Sequence, residues 1–215
     1  MEKTKIIIVR HGESLGNAAR YLLGHTDLDL SEQGKRQAEA TAERLSEEKI
    51  DAVYTSDLIR AYNTALPHAT RRGLTPVARG DLRELYLGEW EHRAVTDVIQ
   101  SYGNMYVEQW QNRFPYFTPP GGEAVMKAGE RFYNAVLEIA RLYPGKTVLI
   151  AAHGAVIRAF WAIITRMPPD EVSEKLPYAS NGSYSVVDYD GEFIPVSYSN
   201  DSHLLDIGIT NVIKV

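Results

Sequence analysis

"IIIVRHGESLGN", residues 6–17, drives four apolar residues straight into Arg10, His11 and Gly12. An aliphatic run without polar alternation reads as a strand buried on both faces, the habit of parallel sheets. A second stretch, "VLIAAHGAV" (148–156), repeats the plan: a buried strand, then His-Gly, then a polar turn or helix start. In a parallel α/β sheet the strands deliver their C-terminal ends to one edge, where crevices open at reversals of strand order. If these two strands are neighbours, His11 and His153 face each other across such a crevice.

Working outward, apolar runs alternate with helical periodicity. Strands are expected at Lys5–Val9, 51–56, Pro76–Gly80, 146–152 and 182–190, the last turned by Asp190-Gly191. Helices are expected from Ser31 to Glu48 with Ser31 as cap, after "DAVYTS" with Ser56 or Asp57 as cap, from Glu123 to Tyr143, and from Ala155 to Thr165. Ala94–Arg113 reads as an aromatic-rich helix, and three prolines with two glycines force a loop over 114–122. The pattern predicts one α/β domain over 1–215 with a largely parallel sheet, residues 90–122 forming a cap-like insertion.

Composition narrows the function. The 215 residues carry 23 Lys and Arg against 28 Asp and Glu, for a net charge of −5, and no basic stripe of the kind nucleic acid requires. There is no cysteine, which excludes disulfides, thiolate nucleophiles and cysteine-ligated metals. No apolar run approaches the roughly 20 residues of a membrane span, so a cytoplasmic protein without membrane or nucleic-acid partners is expected.

The polar groups near the two His-Gly turns suit an anion. Arg10 adjoins His11, and Arg60 falls in the first turn of a helix, where free N–H groups and the helix dipole already favour negative charge. Asn17 lies close by in sequence. Two guanidiniums, two imidazoles and an amide describe a pocket for a tetrahedral dianion, and arginine's planar fork matches phosphate oxygens. Two histidines with Glu84 could instead hold zinc, but Arg10 would repel a divalent cation and the short ligand spacings of metalloenzymes are missing. No metal or cofactor is expected. His25, His68, His92 and His203 read as structural or surface residues, with a substrate-side contact the alternative for His92 and His25, and the Tyr and Trp cluster from Tyr102 to Phe117 reads as packing of the cap.

"VRHGES", Asn17, Gly24, "LSEQG", "TSDLIRAYNTA", "LRELYLGEWE", "PGGE" and "AAHGAVIR", in this order and spacing, resemble the histidine phosphatase superfamily, in its phosphoglycerate mutase-like branch. The resemblance runs from Ile6 to "NDSHL" (200–204). It implies a three-layer α/β/α fold with a mixed, mostly parallel six-stranded sheet flanked by helices. It also implies His11 as a nucleophile that becomes phosphorylated, Arg10, Arg60 and His153 as holders of the phosphoryl oxygens, and Glu84 as proton donor. Asn17, Leu23, Gly24 and Gly154 would line the substrate site. Glu89 and Glu91 compete with Glu84 for its role.

Three departures set the chain apart from the mutases of that branch. Gly16 stands where they carry an aromatic, Leu23 replaces a hydroxyl residue, and the interval from Glu84 to His153 is short, without a basic substrate-gripping segment. The expected activity is therefore metal-independent hydrolysis of a small phosphorylated metabolite through phosphohistidine. A cofactor-dependent phosphoglycerate mutase and a catalytically silent phosphate-binding regulator are the alternatives. The sequence leaves room for a homodimer through a strand edge or the aromatic segment.

Overall fold

Ile6 to Val9 are buried on both sides of one strand: Ile6 and Ile8 join one core, Ile7 and Val9 another. The computed structural model describes residues 2–103 and 105–210. In chain order the elements are β1 (Thr4–Arg10), α1 (Leu15–Ala18), β2 (Tyr21–Leu22), α2 (Glu32–Arg44), β3 (Ala52–Ser56), α3 (Ile59–Thr70) and β4 (Val77–Arg79). There follow β5 (Arg93–Ala94), α4 (Val95–Tyr102), α5 (Val125–Leu142), β6 (Thr147–Ala152), α6 (Gly154–Ile164), α7 (Pro169–Lys175), β7 (Tyr184–Tyr189) and β8 (Phe193–Asn200).

Six strands form one sheet in the order β4-β3-β6-β1-β7-β8, while β2 and β5 pair separately. β1 runs parallel to β6, β6 to β3 and β3 to β4, whereas β7 is antiparallel to β1 and β8 to β7. α5 and α6 cover the face that Ile6, Ile8, Val148 and Ile150 present, and Ala65 and Ala69 of α3 cover the face of Ile7, Val9 and Leu149. Helices on both faces of a mostly parallel sheet make the three layers that the resemblance implied. The core on the α5–α6 side continues into residues 90–122 through Trp90, Val95, Tyr106, Phe114 and Phe117.

The elements depart from expectation where local chemistry intervenes. α2 ends at Arg44 rather than Glu48, the chain tightening into Ser46 N→Glu43 O and Glu48 N→Leu45 O bonds so that Leu45 and Ile50 both reach the core. Neither Ser56 nor Asp57 caps α3 at its first amide. Asp27 reaches in from another loop to accept from Ile59 N at 2.7 Å, and Asp57 pairs with Arg83. The helix expected over 94–113 breaks at Gly103, whose φ is +53°, and a π-helical turn over Met105–Gln111 follows. The short strands β2 and β5 were not anticipated, nor were α7 and β8. α7 starts on Pro169, which suits a first-turn position, and β8 contains Pro195, which an edge strand tolerates.

Candidate active site

The parallel register sets Arg10 opposite Ala152, so the next residue on each strand, His11 and His153, meets its counterpart at the sheet's C-terminal edge. Their ring centroids are 5.1 Å apart with planes at 62°. Two glycines let other groups close in. A Cβ on Gly12 would lie 2.4 Å from the carbonyl oxygen of Gly34 in the first turn of α2, and one on Gly154 would lie 3.2 Å from Arg10 Nε.

His11 is 4 % exposed, and its Nδ1 lies 2.7 Å from the carbonyl of Gly12. A carbonyl only accepts, so Nδ1 carries the proton and Nε2 keeps its lone pair. Burial, then Arg60 and Arg10, hold the His11 pKa well below the ordinary imidazole value. Loss of solvent is the larger cause and the two arginines the smaller. His153 is likewise held well down, by burial first and then Arg60 and His11. Both rings are neutral at pH 7.

Arg10 and Arg60 are 3 % and 1 % exposed. Each is fastened by main-chain carbonyls: Arg10 donates to Ala179, and Arg60 donates to Thr26 at 2.8 Å and Gly24 at 2.7 Å. Burial pushes both guanidiniums down to about 10, with Glu84 opposing, so both remain cationic. Among the described residues, Nε of each arginine and both ring nitrogens of His153 lack a hydrogen-bond partner although buried. Buried, charged and unpartnered donors around one space are costly unless an anion completes them. Asn17 is oriented for the same space. Its Oδ1 accepts from Ser14 N at 3.1 Å, Ser14 Oγ at 2.9 Å and Asn181 Nδ2 at 3.3 Å, which leaves its own amide hydrogens free to serve the cleft it lines.

Of the three glutamates, Glu84 lines this cleft. Its carboxylate sits on the start of α6, Oε2 accepting from Ala155 N at 3.1 Å and Oε1 from Val156 N at 3.2 Å, and Oε1 also takes Leu85 N at 2.9 Å. Glu89 accepts from the Tyr102 hydroxyl. Glu91 fastens the Gly24–Thr26 loop, accepting from His25 N, Leu87 N and Thr26 Oγ1.

The cleft thus gathers Arg10, His11, Asn17, Leu23, Gly24, Arg60, Glu84 and Gly154 into its wall, with His153 buried against His11. Gly16 and Leu23, two of the three departures from the mutase pattern, pack on each other: a Cβ at Gly16 would meet Leu23 Cδ2 at 2.5 Å. The Asn181-Gly182 turn lies behind His11 rather than over the site, Asn181 Nδ2 donating to the His11 carbonyl at 3.1 Å. Tyr106, Trp110 and Tyr178 also line the cleft, so the aromatic segment is more than packing. Aromatic spacing alone does not separate a wall from a core. Among the described residues no three His, Cys, Asp or Glu side chains are grouped as metal ligands, and no helix is long and apolar enough to cross a membrane.

Comparison with known proteins agrees with this geometry. An Arabidopsis thaliana protein named phosphoglycerate mutase-like protein 4 is 34% identical over 210 residues, covering 97% of this chain and 90% of its own length. A metal-independent phosphoserine phosphatase of Arabidopsis thaliana is also 34% identical over 210 residues, covering 96% and 86%. The solved structure of Bacillus stearothermophilus YhfR superposes with a TM-score of 0.87 at 30% identity, covering 94% of this chain and 99% of that one. Residues 6–202 match the family profile that spans the two His-Gly turns, and with it the chain belongs to the histidine phosphatase superfamily (branch 1).

Proposed function

We propose that the chain is a metal-independent phosphomonoester hydrolase working through a phosphohistidine on His11. The observation that carries this reading is the set of buried, unpartnered donors on Arg10, Arg60 and His153 around the lone pair of His11 Nε2. Phosphoryl transfer needs in-line positioning and charge stabilisation above all, and fixed donors in a dry site supply both.

The steps balance as follows in chemical terms. His11 Nε2 attacks phosphorus, the P–O bond to the alcohol breaks, and protonated Glu84 gives its proton to the departing oxygen. Water then attacks the phosphohistidine while the Glu84 carboxylate takes a proton from it. Inorganic phosphate leaves, and His11 returns neutral. Arg10, Arg60, His153 and Asn17 hold the three non-bridging oxygens throughout. A small phosphorylated metabolite as substrate, a cytoplasmic location and residues 90–122 as a cap within one domain belong to the same proposal.

The names of the relatives include both a mutase-like protein and a phosphatase. A mutase must grip a second anionic group on its substrate, and among the described residues the cleft wall holds no cation besides Arg10 and Arg60, which favours hydrolysis. The test uses EDTA-treated protein with p-nitrophenyl phosphate and 3-phosphoglycerate, wild type beside His11→Ala. Phosphate release that persists in EDTA and falls at least about 10³-fold in the variant is expected. Isomerisation without hydrolysis would move the assignment to a mutase, and phosphate binding without either reaction to a silent binder.

A further inference from the structure

Away from its charged end the cleft changes character. Beyond Arg10, Arg60 and Glu84, the wall is made by Leu22, Val95, Tyr106, Trp110 and Tyr178, with no formal charge among them. Trp110 lies against Tyr178 with centroids 6.1 Å apart at 33°, and the Arg158 guanidinium backs the Tyr178 ring at 4.5 Å from its centroid. Arg158 itself faces away from the cleft, donating to the carbonyls of Leu176, Val172 and Ser173.

Two residues of this wall carry buried hydroxyls. The hydroxyls of Tyr106 and Tyr178 are buried without a hydrogen-bond partner among the described residues; Arg20 and Gln111 lie near Tyr106 and Arg158 near Tyr178, none of them in hydrogen-bonding geometry. Burial pushes both phenols up, Tyr106 to about 12, so each keeps its proton and offers a donor. An orphaned buried hydroxyl is costly, and two on one wall mark the place where a bound group supplies acceptors.

We infer that Tyr106 and Tyr178 select the leaving group, which is a neutral, apolar-bodied alcohol carrying a hydrogen-bond acceptor, and that esters with a second anionic group are rejected. The inference rests on the phosphate site proposed above. A carboxylate placed against Leu22, Val95 and Trp110 would lose its solvation with no cation among the described residues of that wall to replace it, Arg20 acting on Tyr106 only from outside the lining, whereas an amide or ether oxygen meets a phenol. A site built to hydrogen-bond a substrate group also discriminates strongly against ligands that lack it.

Binding, rather than turnover, tests this selectivity independently of catalysis. Benzylphosphonate and its derivatives with a carboxamide or a carboxylate at the meta or para position are titrated calorimetrically into wild type, Tyr106→Phe and Tyr178→Phe. The better carboxamide isomer is expected to bind wild type at least about 10-fold more tightly than its carboxylate counterpart. That advantage over plain benzylphosphonate should shrink in either variant, while plain benzylphosphonate stays within about twofold. Because neither hydroxyl has a partner among the described residues, both variants should melt no lower than wild type; a lowered melting temperature with unchanged selectivity would assign the phenols to the core and overturn the inference. Equal or tighter binding of the carboxylates would overturn it as well. Selectivity for the carboxamide in a protein that hydrolyses nothing would support the inference while counting against the hydrolase reading alone.

Discussion

His11 and His153 stand ring to ring, centroids 5.1 Å apart, and among the described residues no carboxylate bonds to either imidazole. Their roles differ by one hydrogen bond. Gly12 fixes the His11 tautomer, so that ring is a nucleophile with a defined lone pair; both nitrogens of His153 are free, so that ring can serve as a donor to phosphoryl oxygen. His153→Ala should therefore keep the nucleophile but lose one stabiliser of the transition state, lowering kcat by about 10²–10³. Single-turnover kinetics would check it: phosphohistidine should still form, slowly. A variant that forms none would mean His153 is needed to hold His11 itself.

Glu84 differs from a surface glutamate in being held by the amides of Ala155 and Val156 at the start of α6. Those bonds orient the carboxyl without consuming its capacity to move a proton. Glu84→Gln keeps an acceptor for α6 and removes the proton transfer, so its effect should depend on the leaving group. An alkyl phosphate, whose alcohol must be protonated on departure, should lose about 10²–10⁴ in rate. p-Nitrophenyl phosphate should lose far less in the step that forms phosphohistidine. Equal losses on both substrates, measured as burst rates, would assign Glu84 to structure.

The sheet and the two histidines were legible because a doubly buried parallel strand leaves a short apolar run, and both such runs here end in or just before His-Gly. Arg60 was legible from its place in a first helical turn. What stayed hidden depends on contacts between segments distant in sequence. Asp27 caps α3 from 32 residues away, where local reading offers Ser56 or Asp57. β8 was obscured by Pro195, tolerated only because that strand is an edge. Tyr106 and Tyr178 come from segments on opposite sides of α5 and meet only in the folded wall, so neither sequence stretch signals a site.

Glu91 connects the loop to the phosphate clamp. It accepts from His25 N at 2.7 Å and Thr26 Oγ1 at 3.0 Å, and the carbonyls of Gly24 and Thr26 in that same loop hold Arg60. Glu91 is thus a positioning residue for a guanidinium it does not touch. Glu91→Gln should weaken the loop and raise KM for phosphate esters by about tenfold, since a displacement near 1 Å in a clamp costs up to 10²-fold. Vanadate affinity should fall in parallel. Unchanged vanadate affinity with a lowered melting temperature would leave Glu91 with a purely structural part.

Acid stability follows from histidines that the fold keeps neutral. His11 and His153 are held well below the ordinary imidazole value, and His68, fully buried in α3, is pushed down to about 3 by burial and then Arg72 and Arg71. In the unfolded chain each titrates near 6.5, so below that pH the unfolded state binds more protons than the folded one. Stability is then complete above about pH 6.5 and falls as pH drops below it. The slope approaches about 1.4 kcal/mol per pH unit for each such ring, or about 4 for three. Carboxylates with lowered pKa, such as Asp51 and Asp57, act in the same direction, but only nearer pH 4, where the unfolded carboxylates titrate. Urea unfolding between pH 7 and 5 isolates the histidines. His68→Leu, away from the cleft, should make the slope shallower by about one proton and leave phosphate binding intact. A stability that is flat over this range in wild type would mean that the rings take up protons in the folded state, and the neutral nucleophile would then have to be abandoned.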